Sequence, residues 1–244
     1  GALPNVFPGY QKVTDAAVRA KFEKAWGGSM PGEVGLMIPE MFDKANSGEL
    51  KAMYILGENP VLTDPNANHI KSGLENLEFL VVQELFLTET AEYADVVLPA
   101  ASFAETDGTF TNTERRVQRV RKAIDALPGR TNWQTIMAMS TKMGYDMNYN
   151  SAEEIFNEMA SLTPSYAGIS FARIDEKGLQ WPCPTPDHPG TPYLHGASFT
   201  RGKGLFQGID HIPPAEMPCE EFPFLLSTGR ILFHYNVTTP YSAG

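Results

Sequence analysis

The clearest pattern in the chain is a series of short apolar runs closed by polar turns. Leu50 to Leu56 is a run of strand length, ended by Gly57-Glu58-Asn59-Pro60. A mainly polar stretch carrying His69, Ile70, Gly73 and Leu74 follows and suits a helix. Leu77 to Val82 is a second run, closed by Gln83-Glu84. A short helix is expected from Leu87 to Ala91 with Thr88 as its N-cap, and Asp95 to Pro99 forms a third run. Continuous apolar strands alternating with helices predict a parallel sheet covered on both faces. Such sheets bind ligands at the carboxyl ends of their strands, which here carry Gly57-Glu58-Asn59 and Gln83-Glu84.

On either side the periodicity changes. Thr14 or Asp15 can cap a helix with Val18, Phe22 and Ala25 on one face, ended by Gly27-Gly28. Pro39 to Ala45 reads as a second short helix, followed by a turn at Asn46-Ser47-Gly48. Thr106 to Val120 suggests a loop and a hairpin. Trp133 to Met143 is a helix by pattern, with Ile136, Met139, Ser140 and Met143 on one face and Gly144 as its stop. Ser151 and Glu154 form a capping-box pair for another helix, to Met159. Pro164 to Pro218 is dominated by Pro, Gly and His, and Phe222 to Thr228 reads as a final strand. The division that results is 1–103, an α/β domain; 104–132, a connecting loop and hairpin; and 133–244, a helical linker and the beginning of a further domain.

Composition narrows the function classes. With 42% hydrophobic and 20% charged residues over 244 positions, the chain is ordinary for a globular protein. No apolar run reaches the roughly 18–20 residues of a membrane span. A net charge of −10 without a dense basic block argues against nucleic acid as a partner. Two cysteines make neither a disulfide framework nor a four-thiolate metal site, and Cys183, between two prolines, reads as structural. His188, His195 and His211 lack metal-ligand spacing. No signal peptide is visible, which makes the cytoplasm the default location. A start at Gly1 and an end at Tyr241-Ser242-Ala243-Gly244 do not look like natural termini, and the expectation is a window from a longer chain.

Each motif carries a plain reading beside a functional one. Gly57-Glu58-Asn59-Pro60 is either a simple turn or a nucleotide-contact loop. Glu84 is either a solvated turn acid or an acceptor for ribose hydroxyls or for the paired N–H donors of guanine. Arg115 and Arg116 either hold a phosphate or form surface ion pairs. Ser227-Thr228-Gly229-Arg230 is a turn or a pyrophosphate site. No Gly-x-Gly-x-x-Gly or P-loop motif exists, so the usual NAD and ATP fingerprints are absent.

Taken in order, several segments form a resemblance. The opening Gly-Ala-Leu-Pro-Asn-Val-Phe-Pro-Gly-Tyr, Gly57-Glu58-Asn59-Pro60, Ala94 to Pro99 and Glu105 to Gln118 resemble molybdopterin oxidoreductases, specifically the large subunit of molybdenum- or tungsten-dependent formate dehydrogenase. Gly178 to Pro184, Gly190-Thr191-Pro192, Arg201-Gly202-Lys203-Gly204 and Ser227 to Arg230 continue the likeness. The Trp181-Pro182-Cys183-Pro184 region points to the formate dehydrogenase branch; nitrate reductases share the strand-end and Thr-Gly-Arg motifs more than that region.

The resemblance implies a Rossmann-like three-layer domain, then a helical connection and the start of a C-terminal β-barrel-like cofactor domain. It implies formate oxidation to CO2 on molybdenum or tungsten held by two molybdopterin guanine dinucleotides. Electrons would pass to 4Fe-4S clusters outside this segment and on to electron-transfer subunits or domains. The metal ligand, the cluster cysteines and the active-site Arg precede the opening segment in that family, so no catalytic or metal residue is expected here and the segment alone should be inactive. Carried over as cofactor contacts are Gly57, Glu58, Asn59, Gln83, Glu84, Thr106, Asn132, Thr228, Gly229, Arg230 and His234. Glu84 and Asn132 stand where relatives often have Asp. The alternatives are a non-catalytic cofactor-binding or scaffolding domain and a piece of a nitrate reductase.

Overall fold

The structure is a computed structural model that describes residues 3–196, 198–199, 202–214, 216–227 and 229. It divides into two compact units, residues 1–192 and 193–244.

The first unit opens with a two-stranded antiparallel ribbon, β1 (Val6–Phe7) and β2 (Gln11–Lys12). Helix α1 (Ala16–Trp26) follows. Its start is set by Asp15, whose Oδ1 accepts from the Ala17 and Val18 amides at 2.9 and 3.1 Å. Its end is set by Gly27 at φ +71°, a left-handed conformation that favours glycine. The buried face differs from the expected one. Ala25 is exposed, while Phe22 is sandwiched between Phe7 at 4.4 Å and Trp26 at 4.8 Å between ring centroids. Aromatic contact outweighs the smaller alanine in choosing which side faces inward.

Helix α2 (Ile38–Asn46) precedes the parallel sheet of β3 (Ala52–Leu56), β4 (Phe79–Glu84) and β5 (Val96–Pro99), in the order β3-β4-β5. The crossover from β3 to β4 carries α3 (Pro60–Thr63) and α4 (Ala67–Glu75). The crossover from β4 to β5 is a single 3-10 turn at Ala91–Tyr93, not the helix expected from Leu87 to Ala91; Thr90, not Thr88, is its N-cap residue, while Thr88 Oγ1 accepts from the Ala91 amide ahead of it. Leu56 lies opposite Gln83, and Gln83 opposite Leu98, so the strand ends align. One face of this sheet is closed by α2 and α4 over Phe42, Ile55, Val61, Ile70, Leu74, Leu80, Val82 and Ala91, all buried. The other face is not closed among the described residues: Tyr54, Leu56, Phe79 and Val96 are 37–47% exposed. The apolar runs therefore predict the strands correctly but not cover on both faces. The helices between these strands all pack on one side.

Beyond the sheet, β6 (Gly108–Thr111) and β7 (Arg116–Val120) form the expected hairpin, and β8 (Leu179–Gln180) adds antiparallel to β7. Helices α5 (Asn132–Lys142) and α6 (Ala152–Leu162) lie between β7 and β8. On α5 the expected apolar face is not the buried one: Met143, at its C-cap, is 83% exposed and Thr135 is the buried residue. On α6 the Ser151 hydroxyl caps the Glu154 amide as the motif predicts. The return bond goes instead from the Asn150 amide to Glu154. A second core gathers Val117, Phe156, Ala160, Ile169, Phe171, Ile174 and Cys183.

In the second unit the described residues hold one isolated bridge, Phe199 with Gly202. Phe222 to Ser227 forms no strand, contrary to its apolar pattern, and Phe224 and Leu226 are each 90% exposed. A strand needs a hydrogen-bonded neighbouring strand, and the described residues give this segment only turn bonds between Phe222 and Cys219. Among the described residues no helix is long and apolar enough to cross a membrane.

Candidate functional site

The carboxyl ends of the three parallel strands bring together six of the candidate residues. Gly57 follows β3 at φ +65°, and its N–H donates to the Gln83 carbonyl at 3.0 Å. No neighbour lies within 4 Å of a Cβ placed there, so the requirement for glycine is conformational, not steric. Glu58 is exposed beside it. Its carboxyl is pushed up by partial desolvation first, then by the charges of Asp64 and Glu84. Asp64 is also raised, by burial.

Glu84 ends β4 at 5% exposure, which excludes a solvated turn acid. One of its oxygens accepts from the Leu85 amide at 2.6 Å, and its carbonyl accepts from the Ala100 amide at 3.0 Å. Glu58, Asp64 and Glu84 thus make the strand ends acceptor-rich.

The neighbouring amides are engaged within the protein. Asn59 is 2% exposed; its Oδ1 accepts from the Thr90 hydroxyl and amide at 2.6 and 3.3 Å, and its Nδ2 donates to Glu89 at 2.7 Å. Gln83 is fully buried; its Oε1 accepts from Tyr54 and its Nε2 donates to Asn132 Oδ1 at 3.1 Å. Asn132, the first residue of α5, also accepts from the Ala101 amide at 2.8 Å and donates to the Ala101 carbonyl at 3.1 Å. Tyr54, Thr90 and Glu89 were not among the sequence candidates. The one available signal was a tyrosine two positions before a strand end.

The other candidates lie elsewhere. Thr106 lines a polar cavity of about 460 Å³ with Arg130, Thr131 and Ser151, at the starts of α5 and α6. Gly229 is described, with open space around it, whereas Thr228, Arg230 and His234 lie outside the described residues. Arg115 and Arg116 are spent on the protein itself. Arg115 donates to the carbonyls of Trp181, Thr191 and Pro192, and Arg116 to Glu114 and the Gly178 carbonyl. Cys183 is fully buried, in keeping with a structural thiol, and the Arg173 guanidinium lies 3.3 Å from its sulfur. A larger cavity, about 910 Å³, opens between α1, α5 and α6 and is lined mainly by Trp, Met and Ile side chains. It contains none of the strand-end residues.

The donor set decides what could sit at the strand ends. Three carboxylates suit a ligand that offers N–H and O–H donors, such as the base or ribose of a nucleotide, and repel phosphates. The residues present therefore fit the nucleoside end of a guanine dinucleotide; its phosphates need cations from elsewhere.

Because Glu58 is raised by partial desolvation first and by its acidic neighbours second, it works against folding once ionised. The sign follows from linkage: a carboxyl raised in the folded state destabilises above its folded pKa and is neutral below its unfolded pKa, about 4.3. Glu58→Gln is expected to raise the melting temperature near neutral pH, with the gain disappearing below about pH 4. Melts of both proteins across that range check it.

The family profile described as molybdopterin oxidoreductase matches residues 9–142. The chain is 52% identical over 246 residues to "F420-dependent formate dehydrogenase 2 subunit alpha" of Methanococcus maripaludis, covering 98% of this chain and 36% of that protein. It is 49% identical to the F420-dependent formate dehydrogenase subunit alpha of Methanocaldococcus jannaschii, again over 98% of this chain and 36% of the relative. It is 42% identical to formate dehydrogenase H of Escherichia coli, over 97% of this chain and 34% of the relative. The chain thus spans about a third of the length of these relatives. Among solved structures, acetylene hydratase from Pelobacter acetylenicus shares the fold with a TM-score of 0.50 over 68% of this chain and 24% of that one, at 18% identity. The profile, matched over more than half of the residues, shows that this chain belongs to the molybdopterin oxidoreductase family.

Proposed function

We propose that this chain forms part of the cofactor cradle of a formate dehydrogenase catalytic subunit. The observation that carries the reading is the convergence of Glu58 and the buried Glu84 at aligned ends of parallel strands. In this reading Glu84 accepts hydrogen bonds from the guanine N1–H and amino group or from ribose hydroxyls of a molybdopterin guanine dinucleotide. Gly57, in its left-handed turn, lets the backbone approach the ligand closely. Asn59, Gln83 and Asn132 hold the ends of the strands. Thr228, Gly229, Arg230 and His234 would serve the phosphate side of a dinucleotide. The two-fold cofactor with molybdenum or tungsten would supply the redox chemistry that takes formate to CO2, with electrons leaving through 4Fe-4S centres to partner subunits or domains in a cytoplasmic enzyme. A Rossmann-like three-layer arrangement and a barrel-like C-terminal domain belong to the same reading. What supports it is the run of relatives named as formate dehydrogenase alpha subunits and the acceptor-rich donor set.

The test uses the protein expressed from its intact gene. Expected are guanosine monophosphate released on acid hydrolysis, molybdenum or tungsten by metal analysis, and formate-dependent dye reduction. Glu84→Ala should lower the guanine content about tenfold or more, the loss expected when a charge-assisted pair of hydrogen bonds is removed. Cofactor without turnover would favour a scaffolding domain, and nitrate-dependent dye oxidation a nitrate reductase.

A further inference from the structure

Two turns leave the strand ends, and one buried side chain joins them. The first, Gly57-Glu58-Asn59-Pro60, leads from β3 into α3; the second leads from Glu84 through Thr90 toward β5. Helix α3 opens on Pro60, which has no N–H, so Val61 carries the first amide that needs an acceptor. Asn59, at the N-cap, gives α3 no side-chain bond. Thr90 supplies the acceptor from the other turn: its Oγ1 accepts from the Val61 amide at 3.2 Å. The same hydroxyl donates to Asn59 Oδ1 at 2.6 Å, and the Thr90 amide donates to that oxygen at 3.3 Å. The Thr90 carbonyl accepts from the Tyr93 amide at 3.2 Å, which anchors the second turn at its 3-10 end. Thr90 is 0% exposed, and a hydroxyl has one proton, already given to Asn59. The side chain therefore presents nothing to a ligand.

We propose that Thr90 is a positioning residue whose hydroxyl locks the Gly57-Glu58 turn to the segment that follows Glu84, and so holds the two acids in one binding geometry. This rests on the nucleotide reading above and deepens it, by adding a residue that acts only through others. The charge of Glu84 helps to raise the Glu58 carboxyl, so the two turns lie close enough for their spacing to matter. The sequence pattern places a cap at Thr88. Thr90, two residues on, meets Asn59 and Val61 only through the fold.

The side-chain chemistry isolates the hydroxyl. Val has nearly the shape of Thr without it. Thr90→Val takes the acceptor from the Val61 amide and the shorter of two donors from Asn59 Oδ1. Both residues are buried, so neither group gains water in exchange. Thr90→Ser keeps the hydroxyl and loses only the methyl.

The experiment compares wild type, Thr90→Val, Thr90→Ser and a core control, Ile174→Val, each expressed from the intact gene. Ile174 is buried in the second core, away from the strand-end bonds. Bound guanine is read as guanosine monophosphate released per protein. Amide exchange at Val61 is read on protein stripped of small molecules. Thr90→Val should cut guanine content about tenfold and speed exchange at Val61, as loss of these buried hydrogen bonds entails. Thr90→Ser should keep guanine content within about threefold of wild type and Val61 protected, since the hydroxyl bonds survive. Ile174→Val should lower the melting temperature and leave guanine content unchanged. If Thr90→Val does not accumulate as folded protein, Thr90→Cys takes its place with the same expected directions, because a thiol donates and accepts only weakly. Full guanine retention in the variant without the hydroxyl overturns the positioning role while the nucleotide reading stands. Equal guanine loss in Thr90→Ser means that the hydroxyl is not what acts, and equal loss in Ile174→Val reduces the effect to general stability; either overturns it. Wild-type protein that releases no guanosine monophosphate overturns the nucleotide reading and this inference with it.

Discussion

Phe42→Ala is expected to lower stability by about 3–5 kcal/mol, the range for deleting a buried aromatic ring. Phe42 is 2% exposed on α2, in the core shared with Ile55, Val61, Ile70, Leu74 and Leu80. The site has little room to collapse. A Cβ placed on Gly73 of α4 would lie 3.0 Å from the Phe42 ring and 3.4 Å from the Phe42 carbonyl, so α2 and α4 already approach as closely as their backbones allow. Removing the ring therefore leaves a void that side-chain motion cannot fill. The same geometry predicts a coupling. Gly73→Ala should destabilise the wild-type protein, because the new methyl meets the ring. In the Phe42→Ala background it should cost less, because the methyl then occupies vacated space and only the Asn46 side-chain amide, 3.1 Å away, still crowds it closely. Urea unfolding midpoints for the double-mutant cycle, at unchanged slope, measure this directly. A methyl that costs the same in both backgrounds would mean that the ring is not what limits the approach of the helices.

Such packing is the part of the fold most legible in the sequence. The apolar runs ending at Leu56, Val82 and Pro99 place all three parallel strands, and Asp15, Gly27 and Ser151 mark helix ends through their local chemistry. Faces are less legible. A 3.6-residue period says which residues share a side but not whether a partner waits there. Ala25 and Met143 sit on exposed surfaces for that reason, and the sheet is closed on one face where its strands are apolar on two. Phe222 to Ser227 shows the same limit for strands, since a pattern cannot supply a neighbour. At the site, the rule that ligands meet strand ends pointed to turns that the fold brings together. It could not say which side chains are turned inward. Asn59, Gln83 and Asn132 read as cofactor contacts through the family resemblance. Their partners lie 31, 29 and 49 residues away, and only the fold reveals them. Thr106 belongs to a different cavity for the same reason: proximity in sequence to the sheet did not carry proximity in space.

Asn59 gives the sharpest test of how far site and stability share the same bonds. Asn59→Ala should cost about 2–4 kcal/mol, because it strands the amide and hydroxyl of Thr90 in the interior. Thr90 is fully buried, and its hydroxyl oxygen also accepts from the Val61 amide, so the bonds of α3 loosen with it. Asn59→Asp is more discriminating than the alanine. It keeps the acceptor for Thr90 but replaces the amide that donates to Glu89 at 2.7 Å with a second carboxylate. In the wild type the Asn59 amide is the foremost cause holding the Glu89 carboxyl below its ordinary value. A group lowered in the folded state contributes stability above its unfolded pKa and loses it as pH falls through the folded one. That contribution is absent in both variants. In Asn59→Asp it is replaced by repulsion, which raises the pair and is relieved once one carboxyl takes a proton. The deficit of Asn59→Asp should therefore be largest near neutral pH and shrink below about pH 4, near the unfolded carboxylate value. The deficit of Asn59→Ala should shrink less, because its Thr90 losses do not titrate. Melting curves of the three proteins between those conditions separate the two outcomes. If Asn59→Asp and Asn59→Ala track each other at every pH, the bond to Glu89 contributes nothing, and the Asn59 side chain is held by Thr90 alone.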